Sequence, residues 1–104
     1  DETRDFIHIE DVIRLIVKLL EKDEKFTIIN GGTGVKYAIK DVVEMVKDFV
    51  NPSVKIKFNN QVNVGNPIYY WADLEKVNMY NFKASIKLED GLRDFIIWAN
   101  EQND

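Results

Sequence analysis

Thr3-Arg4-Asp5-Phe6-Ile7-His8-Ile9-Glu10-Asp11-Val12 changes periodicity part-way along its length, and the fold class turns on that change. Residues 4–9 are rich in β-branched and aromatic side chains and read as a short strand. From Glu10 onward the spacing is helical: Val12, Leu15, Ile16, Leu19 and Leu20 make one apolar stripe, which predicts a helix from Glu10 to Lys22. Glu10 and Asp11 in the first turn and Lys22 in the last complement the helix dipole. A strand that runs into a helix with no linker is the opening of an α/β unit.

Outward from that stretch the alternation repeats. Lys25–Asn30, with Phe26, Ile28 and Ile29, reads as a second strand, and Gly31-Gly32-Thr33-Gly34 as a turn where positive φ costs little. Val42, Val43, Val46 and Phe49 predict a second amphipathic helix over 39–50, which Asn51-Pro52-Ser53 ends. Val54, Ile56 and Phe58 alternate with Lys55 and Lys57 as in a strand with one buried face. Residues 59–67 are polar, with a Gly and a Pro, and read as a loop. Asp73 is placed to cap a short helix reaching Tyr80. A last helix over 88–100 is expected to bury Leu88, Leu92, Phe95, Ile96 and Ala99, and Gly91 inside it costs about 1 kcal/mol against Ala unless close packing requires it. The expectation is one α/β domain spanning residues 1–104, with a short sheet and about four helices.

The bulk composition narrows the function classes. Acids and bases are interspersed at a net charge of −4, with no basic stripe to follow a nucleic-acid backbone. No apolar run is long enough to span a bilayer, no signal peptide opens the chain, and there is no cysteine to form a disulfide or thiolate metal site. Neither nucleic acid nor membrane is expected as a partner, and a cytoplasmic location is. The chain opens on Asp1 rather than Met, so a preceding segment is expected.

Four stretches in order, Thr3–Val12, Ile29–Gly34, Trp71–Lys76 and Leu88–Leu92 with Trp98, resemble the C-terminal half of the NAD(P)-dependent epimerase/dehydratase family, the extended short-chain dehydrogenases. The resemblance implies a small substrate-binding domain whose Rossmann partner is absent. It also implies a nucleotide-sugar epimerase, dehydratase or reductase, among them the GDP-fucose-synthase-like reductases, in which the hydride chemistry belongs to the missing N-terminal domain. NAD or NADP is the implied cofactor of the full-length protein, none being expected on this chain alone. The implied partners are a nucleoside-diphosphate sugar, the protein's own Rossmann domain and, in some settings, a second copy in a homodimer.

Within the resemblance, Arg4 is the residue that reaches the diphosphate, which suits an always-charged guanidinium with paired donors. Sugar-nucleotide epimerases often carry an arginine two residues before a loop glycine and an acid just after it; here those positions are Asn63 and Asn66, around Gly65. Asn63 brings no charge to a diphosphate, and Asn66 keeps the ability to bond a ribose hydroxyl. The family's Tyr-x-x-x-Lys pair has no counterpart: Tyr37 and Lys40 are one residue too close and are expected to take no part in catalysis. Gly31–Gly34 lacks the spacing of a dinucleotide-binding loop and reads as a tight turn. His8 is expected to be a satisfied strand residue, Asp73 a cap and Lys76 a solvated charge. Tyr69, Tyr70 and Trp71 are expected in a core or interface. No catalytic residue and no metal site is expected on this chain. The alternative is a stand-alone, non-catalytic binding or interaction module with the same fold.

Overall fold

The computed structural model describes residues 2–22 and 27–102. In chain order the elements are β1 (Thr3–Arg4), α1 (Ile9–Leu20), β2 (Tyr37–Ala38), α2 (Ile39–Val50), α3 (Glu75–Asn78) and α4 (Leu88–Gln102). The small α/β domain with four helices that the sequence predicts is the one observed, but its sheet is assembled differently. β1 and β2 pair antiparallel, with Thr3 opposite Ala38 and Arg4 opposite Tyr37. The Ile39 amide donates to the Glu2 carbonyl at 2.8 Å, which extends the pairing to the start of α2. On its other side β1 is bridged in parallel to Tyr69: the Thr3 amide donates to the Ile68 carbonyl at 2.8 Å and the Tyr70 amide to the Thr3 carbonyl at 3.2 Å. The first residues of the chain therefore lie between two segments far away in sequence.

α1 starts one residue before Glu10 because His8 caps it, its Nδ1 accepting from the Glu10 amide at 3.1 Å. The strand expected over 4–9 is accordingly cut short. Residues 5–8 carry no ladder, and His8 is a helix cap rather than a strand residue. The predicted apolar stripe of α1 also divides in two. Val12, Leu15 and Leu19 turn inward, whereas Ile9, Ile13, Ile16, Val17 and Leu20 are exposed along one side, Leu20 at 79%.

The core gathers Leu15, Val77 and Phe82, with Leu19, Ile29 and Leu74 against it. α2 keeps its predicted bounds and packs on α4, where the Arg93 guanidinium lies 5.2 Å over the Phe49 ring. In α4 the glycine has the packing reason anticipated: a Cβ on Gly91 would stand 3.1 Å from the His8 ring. The expected burial of α4 is corrected. Leu88, Leu92, Ile96 and Ala99 are half-buried, while Phe95 is exposed at 60% and Trp98 at 55%.

Two predicted strands do not form ladders. Lys25 and Phe26 lie outside the described residues, and Thr27–Asn30 runs without strand pairing. Residues 54–58 also carry no ladder, and Val54 and Phe58 are about half exposed. Alternation shows that a segment could sit on a sheet; only a neighbouring edge makes it a strand, and no described segment offers one here.

Candidate functional site

Arg4 sits on β1 with its side chain 26% exposed. Its Nη1 donates to the Thr3 carbonyl at 2.7 Å, and its Nη2 lies 3.5 Å from a Glu2 carboxylate oxygen. The guanidinium thus folds back along its own strand and holds a long, half-exposed ion pair. The contact is one that an anion of higher charge can replace.

Beside it, Asp5 fixes the backbone. Its carboxylate accepts from the Thr33 amide at 3.0 Å, the Gly34 amide at 2.8 Å, the Thr33 hydroxyl and the Ala72 amide at 3.2 Å. Burial pushes the Asp5 carboxyl up, but the Thr33 hydroxyl and the Thr33, Gly34 and Ala72 amides outweigh it and hold it below its ordinary value. The packing is tight: a Cβ on Gly32 would stand 2.6 Å from the Ala72 Cβ and 2.7 Å from an Asp5 carboxylate oxygen. The Thr33–Gly34 amides point at Asp5, so the turn has no free cradle for a cofactor pyrophosphate. The residues of this turn do not fit a dinucleotide.

Asp11 does a comparable task in the first turn of α1. It is 1% exposed and accepts from the Arg14 guanidinium at 2.6 Å, the Ser85 amide at 3.1 Å and the Ile86 amide at 3.0 Å. Burial raises this carboxyl, and the Arg14, Ile86 and Ser85 bonds more than reverse the effect. Arg14 in turn donates to the Lys83 carbonyl at 2.9 Å and lies 5.0 Å over the Phe82 ring. The sequence reading placed Asp11 only as a dipole residue and passed over Asp5. The available signal was an acid on each side of the strand-to-helix junction, one next to Arg4 and one in the first turn of α1.

Asn63 and Asn66 are exposed in the 59–67 loop and joined by a turn, with the Asn66 amide donating to the Asn63 carbonyl at 3.2 Å and Gly65 at φ +93°. Among the described residues no hydrogen bond links either asparagine to Arg4. The loop returns to β1 immediately afterwards, through Ile68 and Tyr70. Tyr69 and Tyr70 are 62% exposed and Trp71 48%, with the Lys36 ammonium 5.1 Å over the Trp71 ring, so this run is a surface and not core. Asp73 accepts from the Glu75 amide at 2.9 Å, but the capping position of α3 is Leu74, not Asp73, and α3 stops at Asn78. Lys76 is exposed, as a solvated charge should be, and its ammonium also donates to the Ile28 carbonyl at 2.7 Å. Among the described residues no hydrogen bond joins Tyr37 to Lys40. A cleft of about 740 Å³ opens elsewhere, between Phe6, His8 and Ile86 on one side and Gly91, Phe95 and Trp98 on the other. None of Arg4, Asn63 and Asn66 lines it.

No protein-family model matches the chain. The putative GDP-L-fucose synthase 2 of Arabidopsis thaliana is 30% identical over 98 residues, covering 94% of this chain and 30% of that protein. A GDP-mannoheptose C4 reductase from Campylobacter jejuni, solved with NADP bound, superposes at TM-score 0.79 and 30% identity, over 95% of this chain and 32% of its own. This chain matches the C-terminal part of extended short-chain dehydrogenase/reductase proteins. UDP-glucose 4-epimerase from Thermotoga maritima, solved with UDP-glucose, shares the fold at TM-score 0.88 and 18% identity, over 99% of this chain and 33% of that one. The chain spans about a third of the length of the relatives it matches. Among the described residues no helix is long and apolar enough to cross a membrane.

Proposed function

We propose that this chain is the sugar-nucleotide-holding domain of a longer NAD(P)-dependent nucleotide-sugar epimerase, dehydratase or reductase. In this reading hydride transfer and the dinucleotide belong to the rest of the protein. The observation that carries it is the extent of the match: nearly the whole chain aligns, at 30% identity, with about a third of enzymes whose names specify GDP-sugars. A GDP-sugar is therefore the first ligand to test. Arg4 is the proposed diphosphate contact, taken over from Glu2 when the ligand enters. Asn63 and Asn66 are proposed at the rim, where Asn66 is able to bond a ribose hydroxyl and Asn63 adds no charge.

The outer side of α1 supports the domain reading. Ile9, Ile13, Ile16, Val17 and Leu20 are exposed at helical spacing, a face that in a soluble protein calls for a cover. In a protein three times this length the cover is the remainder of the chain.

The test is Arg4→Ala in the full-length protein, with the dissociation constants of GDP and UDP measured at two salt concentrations. About a tenfold weakening at low ionic strength, shrinking as salt rises, is expected from one charged contact. An unchanged constant for both nucleotides would remove Arg4 from the site.

A further inference from the structure

Tyr37 was set aside by sequence because it makes no catalytic pair with Lys40, yet the strand register puts it somewhere more telling. It is the residue directly opposite Arg4 in the β1–β2 ladder. Directly opposed residues of an antiparallel pair project from the same face, with Cβ atoms about 5 Å apart. The register is pinned at both ends. Ile39, two residues after Tyr37, donates to Glu2, and Thr33 and Gly34, just before it, are held by Asp5. A one-residue slip, which would turn Tyr37 to the other face, would break both ties.

The tyrosine is also available. Its side chain is half-buried, and among the described residues its hydroxyl makes no hydrogen bond. A tyrosine on the same face as an arginine and directly across the ladder from it can bring a second donor to an anion the arginine holds, and its ring a wall that limits access of water. Both groups ride on a ladder fixed by side-chain and main-chain bonds, so their relative placement is set before a ligand arrives.

We infer that Tyr37 is a ligand-holding residue, donating its hydroxyl to the phosphoryl oxygens of the nucleoside diphosphate that Arg4 grips. The inference rests on the proposed role of Arg4, and the experiment separates the two. In the full-length protein, the dissociation constants of GDP, inorganic pyrophosphate and guanosine are measured for wild type, Tyr37→Phe, Arg4→Ala and the double variant. Thermal unfolding of Tyr37→Phe serves as the check on its fold.

Tyr37→Phe is expected to weaken GDP and pyrophosphate alike by about three- to tenfold, as for one hydrogen bond, and to leave guanosine unchanged. The double variant is expected to lose less than the product of the single losses, because both groups act on one anion. Arg4→Ala weakening GDP while Tyr37→Phe has no effect would overturn the role of Tyr37 and leave that of Arg4 standing. An equal loss of guanosine and pyrophosphate in Tyr37→Phe would also overturn it, since the effect would then lie in the fold. No effect of Arg4→Ala on either phosphorylated ligand would overturn both.

Discussion

Asp5 and Asp11 flank the same strand-to-helix junction and perform related tasks by different chemistry. Asp5 has no cation. It is satisfied by three backbone amides and one hydroxyl, drawn from the Thr33–Gly34 turn and from Ala72. Asp11 is buried to 1% exposure and adds the Arg14 guanidinium to the Ser85 and Ile86 amides. The first arrangement fixes main chain around the proposed ligand face without an ion pair to Arg4. The second neutralises a buried charge and docks the segment leading into α4 onto α1. A clasp beside a binding face does better with amides, and one within the core with a cation, because an unpaired buried charge is the costlier of the two.

That contrast ranks the substitutions. Asp11→Ala removes the acceptor for Arg14, Ser85 and Ile86 at once, and a loss of about 3 kcal/mol in unfolding free energy is expected by denaturant titration. A loss below about 1 kcal/mol would mean that the two clasps are equivalent and that burial does not distinguish them. Asp5→Asn is expected to cost less, about 1–2 kcal/mol, because water reaches part of the turn.

Its pH dependence sharpens the comparison. The Asp5 carboxyl is depressed in the folded state, so its contribution is complete above the ordinary carboxylate value, 3.8, and is lost as pH falls through the lower folded value. The stability gap between wild type and Asp5→Asn should therefore narrow below about pH 4 and be flat from pH 5 to 7. A gap that is constant with pH would show that shape, not charge, holds the turn.

Gly91→Ala should have the smallest effect. The helix gains about 1 kcal/mol of propensity, which the 3.1 Å approach to the His8 ring offsets, for a net change within about 1 kcal/mol by thermal unfolding.

The helices were legible in the sequence because each carries its own periodicity: α2 keeps its predicted bounds, and α1 and α4 differ from theirs by one or two residues. The sheet was not legible. Val54, Ile56 and Phe58 alternate as a strand should, but pairing depends on a neighbouring edge that no local pattern encodes. β2 was missed because two residues directly before a helix give no period to read. Of the proposed site, Arg4 was found through resemblance to a family motif. Asp5 and Tyr37 were missed because their partners lie 28 or more residues away, and sequence spacing says nothing about contacts at that range. His8 was within reach: it stands two residues before Glu10-Asp11 and a helical stripe, where a capping acceptor belongs.

The junction also sets an order of events during synthesis. The carboxylate of Asp5 waits for Ala72, 67 residues behind it, and that of Asp11 for Ser85 and Ile86, 74 and 75 residues behind. At roughly 5–20 residues per second, a ribosome takes about 4–15 seconds to supply those partners. Asp5 and Asp11 are thus made well before the residues that fasten them, and until then Arg4, Asp5 and the exposed side of α1 are open to whatever else the emerging chain meets.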